Sequence, residues 1–346
     1  MRQRLRAMAL SSNVLIALVA GAAAGAGAEG GGARSVPTFS STVDLVNLNV
    51  SVSDGHDHYV AGLGAGDFTV FEDGVPQQLC LFTQERLPIS LAILIDSSLS
   101  MHSSLPAVKT AALRLVHVLR PEDQAEIVQF NHRFNVLQDF TSDPARLETA
   151  VNGIQAEGAT SVYNALYFTL KEPRFRRRGD QLTRQAIVIL SDGEDTSSLV
   201  SDDQVLDLAR KGDVTIFAIC LRQPRPSTLD TDASDRAAFF LSTLARETGG
   251  RAYFPTALAQ IDGVYDRIAD DLRTQYALGY VSSNTAHDGK WRRIAIQTTH
   301  AHVMLRHREG YYAGALRILR SALAAAHPAA SAATAVSALH PPEQAP

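Results

Sequence analysis

The chain has 346 residues, of which 45% are hydrophobic and 20% charged, and its formal net charge is −4. This composition is typical of a globular protein, and so small a charge gives no strong attraction to nucleic acid or to an anionic membrane. Because the length exceeds that of a usual single domain, we expect two compact units and additional segments that belong to neither.

The N-terminal segment is typical of a secretory signal peptide. Residues 1–6 carry three arginines, residues 7–24 are apolar and small, and Ala26-Gly27-Ala28 offers a cleavage site. A retained membrane anchor is the alternative, but the apolar stretch is short for a spanning helix of about 20 residues. We therefore predict a signal peptide at residues 1–28, export to the periplasm or the outside of the cell, and no membrane span after cleavage.

Export permits disulfides, yet the sequence contains only two cysteines, Cys80 and Cys220. Each lies in an apolar run that predicts a buried strand. We interpret both as small buried residues, with a disulfide between them as the alternative.

The segment after the glycine-rich residues 30–32 alternates apolar and polar residues with a period of two, which predicts a half-buried strand at 46–53. A second strand at 68–72 leads into the turn signal Asp73-Gly74 and a return strand at 79–82. Alternation of the same type comes back near the C-terminus, at 276–280, 291–297, 303–306 and 311–312. We predict that all these strands form one antiparallel β-sandwich, made from residues 37–88 and 274–313.

Between these segments the pattern changes to that of an α/β domain. Ile89–Ile95 is a continuous apolar run, typical of a parallel strand that is covered on both faces. Further strands are predicted at 125–130, 185–190, 214–219 and 251–254, and helices at 104–119, 144–154, 161–170, 202–211, 236–248 and 259–272. This alternation predicts a doubly wound, mostly parallel sheet at 89–272, inserted in the sandwich. Residues 314–346 are rich in Ala and Pro, and we expect them to be disordered.

Oxygen-bearing side chains follow the first predicted parallel strand, in Asp96-Ser97-Ser98-Leu99-Ser100. Ligands of open α/β sheets bind at that edge, and one carboxylate with two hydroxyls on alternate residues suits a hard cation such as Mg²⁺. The pattern alone is weak, because Ser100 or Ser103 could instead cap the next helix.

Two further elements strengthen the pattern. The strand at 185–190 ends in Ser191-Asp192-Gly193, so Asp192 is expected beside Asp96 if the two strands are neighbours. Gly158-Ala159-Thr160-Ser161 opens a helix with a hydroxyl that could reach the same edge.

Together these residues resemble the metal-ion-dependent adhesion site of the von Willebrand factor A family, and the resemblance covers roughly residues 89–272. The family's Asp-x-Ser-x-Ser loop, later Thr and later Asp are matched in order by Asp96, Ser98, Ser100, Thr160 and Asp192. The strands on either side also resemble exported bacterial proteins that carry an A domain between β segments.

The resemblance implies that Ser98 and Ser100 bind the cation directly and that Thr160 joins according to the state of the site. Asp96 and Asp192 would act largely through bound water. One coordination position would face solvent and accept a carboxylate from a protein partner. The implied cation is Mg²⁺, with Mn²⁺ or Ca²⁺ as alternatives.

These observations predict a binding and adhesion protein with no catalytic residues, whose partner is an unidentified protein ligand or a surface glycan and not a nucleic acid. A structural scaffold in envelope assembly is one alternative. A metal-dependent hydrolase that uses Ser98 or a metal-bound water is another, but the sequence has no Gly-x-Ser-x-Gly motif and His102 has no evident orienting acid.

Other charged and aromatic clusters are interpreted structurally. We expect His56-Asp57-His58 to form a surface turn rather than a metal site, and residues 174–178 to form a solvated basic loop rather than a docking patch. Glu194, Asp195, Asp202 and Asp203 are predicted to form a solvated loop and a helix start, with a second metal site as the alternative. We predict Tyr280 and Trp291 in the sandwich core.

Overall fold

The computed structural model describes residues 45–84, 87–172, 183–221 and 231–314, without the side chains of residues 231–234 and 262. The predicted signal peptide, the basic run at 174–178 and residues 315–346 of the predicted tail lie outside the described residues. Among the described helices, none combines the length and the apolar character needed to cross a membrane.

The strands in chain order are β1 (Leu45–Asp54), β2 (Phe68–Glu72), β3 (Val75–Gln77), β4 (Leu79–Thr83), β5 (Ile89–Asp96), β6 (Gln124–Phe130), β7 (Phe134–Thr141), β8 (Arg184–Ser191), β9 (Thr215–Cys220), β10 (Ala252–Tyr253), β11 (Tyr276–Val281), β12 (Trp291–Thr298), β13 (Val303–Arg306) and β14 (Gly310–Tyr312). The α-helices are α1 (Leu105–His117), α2 (Pro144–Gly153), α3 (Val162–Lys171), α4 (Asp202–Lys211), α5 (Thr231–Glu247) and α6 (Ile261–Thr274).

A six-stranded sheet in the order β10-β9-β8-β5-β6-β7 forms the centre of the α/β part. All its pairings are parallel except that of β7 with β6. Every residue of β5 is buried, because helices α1, α2 and α6 cover one face of the sheet and α3, α4 and α5 cover the other. The predicted doubly wound, mostly parallel sheet is therefore confirmed.

The antiparallel edge strand β7 is missing from the sequence prediction. Its residues alternate between half-buried and exposed, which is the pattern of a strand that packs on one face only. The period-two signal of Phe134, Val136, Gln138 and Phe140 was therefore available, although none of these side chains is fully buried.

The flanking strands form two antiparallel sheets, in the orders β13-β1-β11-β4 and β14-β12-β2-β3. Apolar side chains of both sheets share one buried core, with Leu48 and Val50 from the first and Val70 and Ile294 from the second. This is the predicted β-sandwich, made from segments on both sides of the α/β part. The division into domains at residues 37–88 plus 274–313 and 89–272 stays a prediction.

The predicted hairpin of strands 68–72 and 79–82 is wrong in its pairing. The strand that returns after Asp73-Gly74 is β3, which pairs with β2, whereas β4 pairs with β11 in the other sheet. Both turn residues have positive φ, as a tight two-residue turn requires, so the turn itself is confirmed. Cys80 in β4 and Cys220 in β9 are free thiols in different sheets.

Arg184 contacts both segments in which the chain passes between the sandwich and the α/β part. Its N–H donates to Pro88 O at 2.9 Å, and its buried guanidinium donates to Leu272 O at 3.0 Å and to Gln275 O at 2.5 Å. These contacts fix the start of β8 beside the start of β5. The carboxyl ends of both strands then lie together at the opposite edge of the sheet.

Gly250, just before β10, lies against β9 so closely that we expect Gly250→Ala to be strongly destabilising. An added Cβ would lie 2.0 Å from Ile216 O and 2.7 Å from its carbonyl carbon, and backbone atoms cannot move aside independently. The free energy of unfolding in denaturant should fall by about 1–3 kcal/mol or more.

Gly153 at the end of α2 provides the matched control, because an added Cβ there meets nothing within 4 Å. Gly153→Ala should leave stability unchanged or raise it by up to about 1 kcal/mol. Equal unfolding midpoints for the two variants would contradict the close approach of β9 and Gly250.

Candidate metal centre

Asp96 is the last residue of β5 and lies in the interior of the six-stranded sheet, with no exposed surface. One carboxylate oxygen accepts the N–H of Ser98 at 2.9 Å, and the other accepts the hydroxyl of Ser191 at 2.5 Å. The first bond turns the chain sharply after the strand. The second joins the carboxyl ends of β5 and β8.

Ser98 and Ser100 place their hydroxyl oxygens 3.0 Å apart, and Ser98 is buried. Neither Ser100 nor Ser103, the two serines considered as caps of the next helix, is the residue before α1. The residue before α1 is Ser104, whose side chain makes no capping hydrogen bond, and Ser98 makes none to the short helical turn at 99–101. Two hydroxyls are therefore adjacent in the loop that follows β5.

Asp192 follows β8, which pairs in parallel with β5 so that Leu190 lies opposite Ile95. The two strands are thus neighbours, as the expected placement of Asp192 beside Asp96 requires. Asp192 is buried, and its charge contributes to raising the pKa of Asp96, so the two carboxyl groups interact.

Thr160 is held between the other two loops by its main chain. Leu99 N–H donates to Gly158 O at 3.1 Å, which joins this segment to the Asp96 loop. On the other side, the N–H groups of Thr196 and Ser197 donate to Thr160 O at 2.9 and 3.0 Å, and Thr160 N–H donates to Thr196 Oγ1 at 3.1 Å. The three predicted loops are therefore connected at one edge of the sheet.

Gly158 allows this arrangement because its φ of +71° is one that side-chain-bearing residues rarely adopt. The ring of His132 also lies against it, since a Cβ on Gly158 would come 2.1 Å from Nδ1 of that ring. Gly158 is therefore required for the backbone conformation that precedes Thr160.

The electrostatic environment of Asp96 is unfavourable for a negative charge. Burial, with a smaller contribution from the Asp192 carboxylate, raises the pKa of Asp96 to about 6 despite hydrogen bonds from Ser191 and Ser98. Within the described residues, no Lys, Arg or His forms an ion pair with Asp96. A cation at this edge would supply the missing positive charge.

The donor set also has the chemistry of a hard-cation site, since it offers two carboxylates and three hydroxyls and no sulfur or nitrogen. Mg²⁺ bonds of about 2.1 Å at right angles put neighbouring ligand oxygens about 3 Å apart, the separation of the two serine hydroxyls. No group of three or more His, Cys, Asp or Glu side chains suited to a metal occurs in the described part of the chain. The candidate site therefore depends on hydroxyl groups.

Sequence reasoning missed the residues that hold the loops in place. Ser191 was regarded only as part of a loop, although it directly precedes Asp192 at the end of a strand. Ser97 was not used either, yet its hydroxyl accepts from Gln129 Nε2 at 3.0 Å and from Asn131 Nδ2 at 3.2 Å. These partners are about thirty residues away in sequence, and the only available signal was that each lies at the end of a neighbouring strand.

Asp195 lies in a loop, as predicted, but it is half-buried rather than fully solvated. Its carboxylate accepts the N–H of Tyr163 at 2.9 Å and the N–H and hydroxyl of Ser198 at 2.9 and 2.6 Å, so it fastens the loop to the first turn of α3. Asp202 and Asp203 are exposed at the start of α4, as predicted.

The remaining candidates take mostly structural positions. His56-Asp57-His58 forms a surface turn in which Asp54 accepts the N–H groups of both histidines. Tyr280 is fully buried in the sandwich, but Trp291 is only half-buried, so its predicted place in the core is wrong.

Comparison with known proteins adds a family assignment. The model of the von Willebrand factor type A domain family matches residues 91–194. An uncharacterized protein of Synechocystis sp. is 30% identical over 112 residues, which are 32% of this chain and 26% of that protein. The matched segment thus spans about a quarter of its relative.

One solved structure with a similar fold is a von Willebrand factor type A protein from Catenulispora acidiphila, which is 12% identical in sequence and has a TM-score of 0.46. The aligned region covers 77% of this chain and 73% of the matched chain. Another is proximal thread matrix protein 1 from the mussel byssus, solved with a zinc-occupied MIDAS motif. It is 15% identical with a TM-score of 0.45, and the aligned region covers 58% of this chain and 49% of the matched chain. Similarities this low do not identify a ligand.

The family match extends from β5 to just beyond Asp192, so it includes all three loops of the candidate site. In the structure, these loops lie at the carboxyl ends of strands of the doubly wound sheet. The chain therefore contains a von Willebrand factor type A domain.

Proposed function

We propose that this protein binds a divalent cation, Mg²⁺ in the first place, through Asp96, Ser98, Ser100, Thr160 and Asp192. The observation that carries the proposal is the direct connection of three loops around a buried carboxylate that has no basic partner among the described residues. Ser98 and Ser100 would contact the ion directly, and Thr160 would complete the hydroxyl set. Asp96 and Asp192 would supply the negative charge, largely through water.

We further propose that the bound cation recognises a carboxylate of a protein partner, so that the protein is an exported adhesion or interaction module. When bound, the cation supplies a Lewis-acidic centre. Because most of its protein ligands would be neutral hydroxyls, it would keep much of its positive charge and gain by accepting an anion. The type A domain supports an interaction module of this kind.

An enzymatic role is less well supported by the site. His102, the histidine next to this loop in sequence, lies on the exposed surface, and the hydroxyl of Ser98 lies 3.0 Å from that of Ser100. A structural scaffold in envelope assembly would use the same cation only to hold the loops together. The adhesion role and the scaffold role differ in one respect: only the adhesion role predicts that a partner binds when the cation is present.

Cation titration of the full chain tests the proposal. We expect saturable binding of Mg²⁺ or Mn²⁺ in calorimetry and a rise in the melting temperature that EDTA reverses. Asp192→Asn should abolish both effects, since it removes one of two carboxylates. Asp203→Asn, the same change at an exposed position, should leave both unchanged. Equal cation affinities for these two variants would contradict the site.

A pull-down from the native cell envelope, with Mg²⁺ or with EDTA, then separates the roles. An adhesion module should retain a partner only with the cation present. A scaffold should keep the melting-temperature effect but show no partner whose capture depends on EDTA.

A further inference from the structure

A groove of about 680 Å³ is lined by residues of the sandwich and of the α/β part. Its walls are the C-terminal half of α5, the residues around the edge strand β10, strand β12, and the end of β13 with the segment that follows it. None of the five proposed cation ligands lines it. The groove is therefore a separate feature of the surface.

Arginines dominate the charged lining of this groove, in which Glu309 is the single carboxylate. Arg246 pairs with Glu309, Arg251 with Asp57 at 2.7 Å and Arg306 with Asp271. Arg293 also lines the groove, is exposed, and makes no ion pair with another described residue. Arg293 is therefore the lining arginine that offers an incoming anion a positive charge not already paired with a described carboxylate.

Strand β12 has an open edge at the same place. It pairs with β2 on one side along its second half, but on the other side its pairing with β14 stops at Arg293. Ile294 N–H still donates to Glu309 O at 2.8 Å, whereas Glu309 N–H turns away to Glu247 O. In an antiparallel strand alternate residues direct their N–H and C=O to the same side. The backbone groups of Ile296 therefore point to this edge, where no described strand continues the ladder.

We propose that the groove binds an extended acidic peptide segment of a partner protein, as an added strand on the open edge of β12. Main-chain hydrogen bonds to Ile296 would hold the peptide, and Arg293 would select for acidic side chains. An anion alone would explain the arginines but would not use the strand edge. The observations therefore favour a peptide over an acidic polysaccharide.

The probe for the test is a fluorescein-labelled octapeptide of alternating glutamate and valine, added to the full chain in EDTA so that no cation site contributes. We expect saturable binding in fluorescence polarisation. Binding should weaken about tenfold when glutamine replaces glutamate, and also in Arg293→Glu, because a like charge replaces the attraction. The matched control is Arg146→Glu, an exposed arginine on α2 at the opposite end of the sheet.

Two N-methylated probes test the added strand. The N–H groups of alternate residues point to opposite edges of an extended peptide. Methyl groups on the four valine nitrogens would block one edge and those on the four glutamate nitrogens the other, so one probe should lose binding and the other should keep it. Equal affinity of both methylated probes and the parent, unchanged affinity in Arg293→Glu, or tighter binding of an oligogalacturonate would each overturn the proposal. Because EDTA is present throughout, failure of the metal site would not affect these outcomes.

Discussion

Glu72→Gln should lower the free energy of unfolding by about 3–5 kcal/mol, the usual loss when one partner of a buried ion pair is removed. Glu72 is 2% exposed, and its carboxylate accepts hydrogen bonds from three different strands of the sandwich. One oxygen accepts the hydroxyls of Tyr280 and Tyr311 at 2.8 and 2.9 Å, and the other accepts Arg292 Nη1 at 3.0 Å.

The size of this effect follows from what the substitution leaves behind. Arg292 is buried and would keep its charge without a counter-ion, and a glutamine nitrogen would face donors where a carboxylate oxygen now accepts. Tyr280 belongs to one sheet of the sandwich, whereas Glu72 and Arg292 belong to the other. Loss of the carboxylate therefore weakens the connection between the two sheets.

Stability should also depend on pH through Glu72. Burial acts to raise the pKa of Glu72, but hydrogen bonds from Ser282, Tyr280, Arg292 and Tyr311 outweigh it and hold the pKa below its ordinary value of 4.5. The ionised form thus contributes stability above that value. The contribution is lost as the pH falls through the lower pKa of the folded state.

Urea unfolding of the parent and the variant at neutral pH measures the loss. Glu148→Gln is the matched control, because Glu148 forms an ion pair with His117 at the surface, where about 1 kcal/mol or less is expected. If Glu72→Gln does not fold, Tyr311→Phe removes the hydrogen bond from Tyr311 to Glu72 without leaving Arg292 unpaired, and it should cost about 1 kcal/mol. A loss in Glu72→Gln no larger than that of the control would rule out the buried network as a stabilising element.

A strand could be located from the sequence where a single physical constraint determines its composition. A strand buried on both faces must be apolar throughout, so β5 and β8 could be placed within a residue of their observed ends. The pairing of short strands was not predictable in this way. Val75-Pro76-Gln77 is too brief and too polar to be recognised as β3, and its omission moved β4 into the wrong sheet.

The candidate ligands could be named from the sequence because a strand end, a turn and an oxygen-bearing residue coincide three times. The contacts that connect the three loops could not be predicted. The bond between Ser191 and Asp96 spans 95 residues, and that between Thr196 and Thr160 spans 36. Such contacts depend on strand order, which local patterns do not specify.

Asp96→Asn should reduce cation affinity about 100-fold, the upper range for residues that orient the ligands of a metal. Asparagine retains the oxygen that accepts Ser98 N–H, so the loop should keep its turn. What is lost is the negative charge at the centre of the site. Calorimetric titration with Mg²⁺ and Mn²⁺ measures the affinity.

The stability of Asp96→Asn relative to the parent should depend on the cation: the variant should be at least as stable as the parent in EDTA and less stable than the parent in Mg²⁺. In EDTA the substitution removes a buried charge that interacts with a second carboxylate, so the variant should be as stable as the parent or more stable. With Mg²⁺ the parent gains stability from binding and the variant does not. A purely structural role for Asp96 predicts destabilisation under both conditions, and that result would exclude it as part of a cation site.

Ser97→Ala distinguishes an effect of disturbing the Asp96 loop from an effect of losing a residue that holds the cation. Ser97 lies in the same loop and is fully buried, but its hydroxyl bonds to Gln129 and Asn131 and not to any proposed ligand. Its removal should lower stability in EDTA and in Mg²⁺ alike while leaving cation affinity within a few-fold of the parent. If Ser97→Ala instead lost affinity as completely as Asp96→Asn, disturbance of the loop would explain both results and the carboxylate would have no specific role.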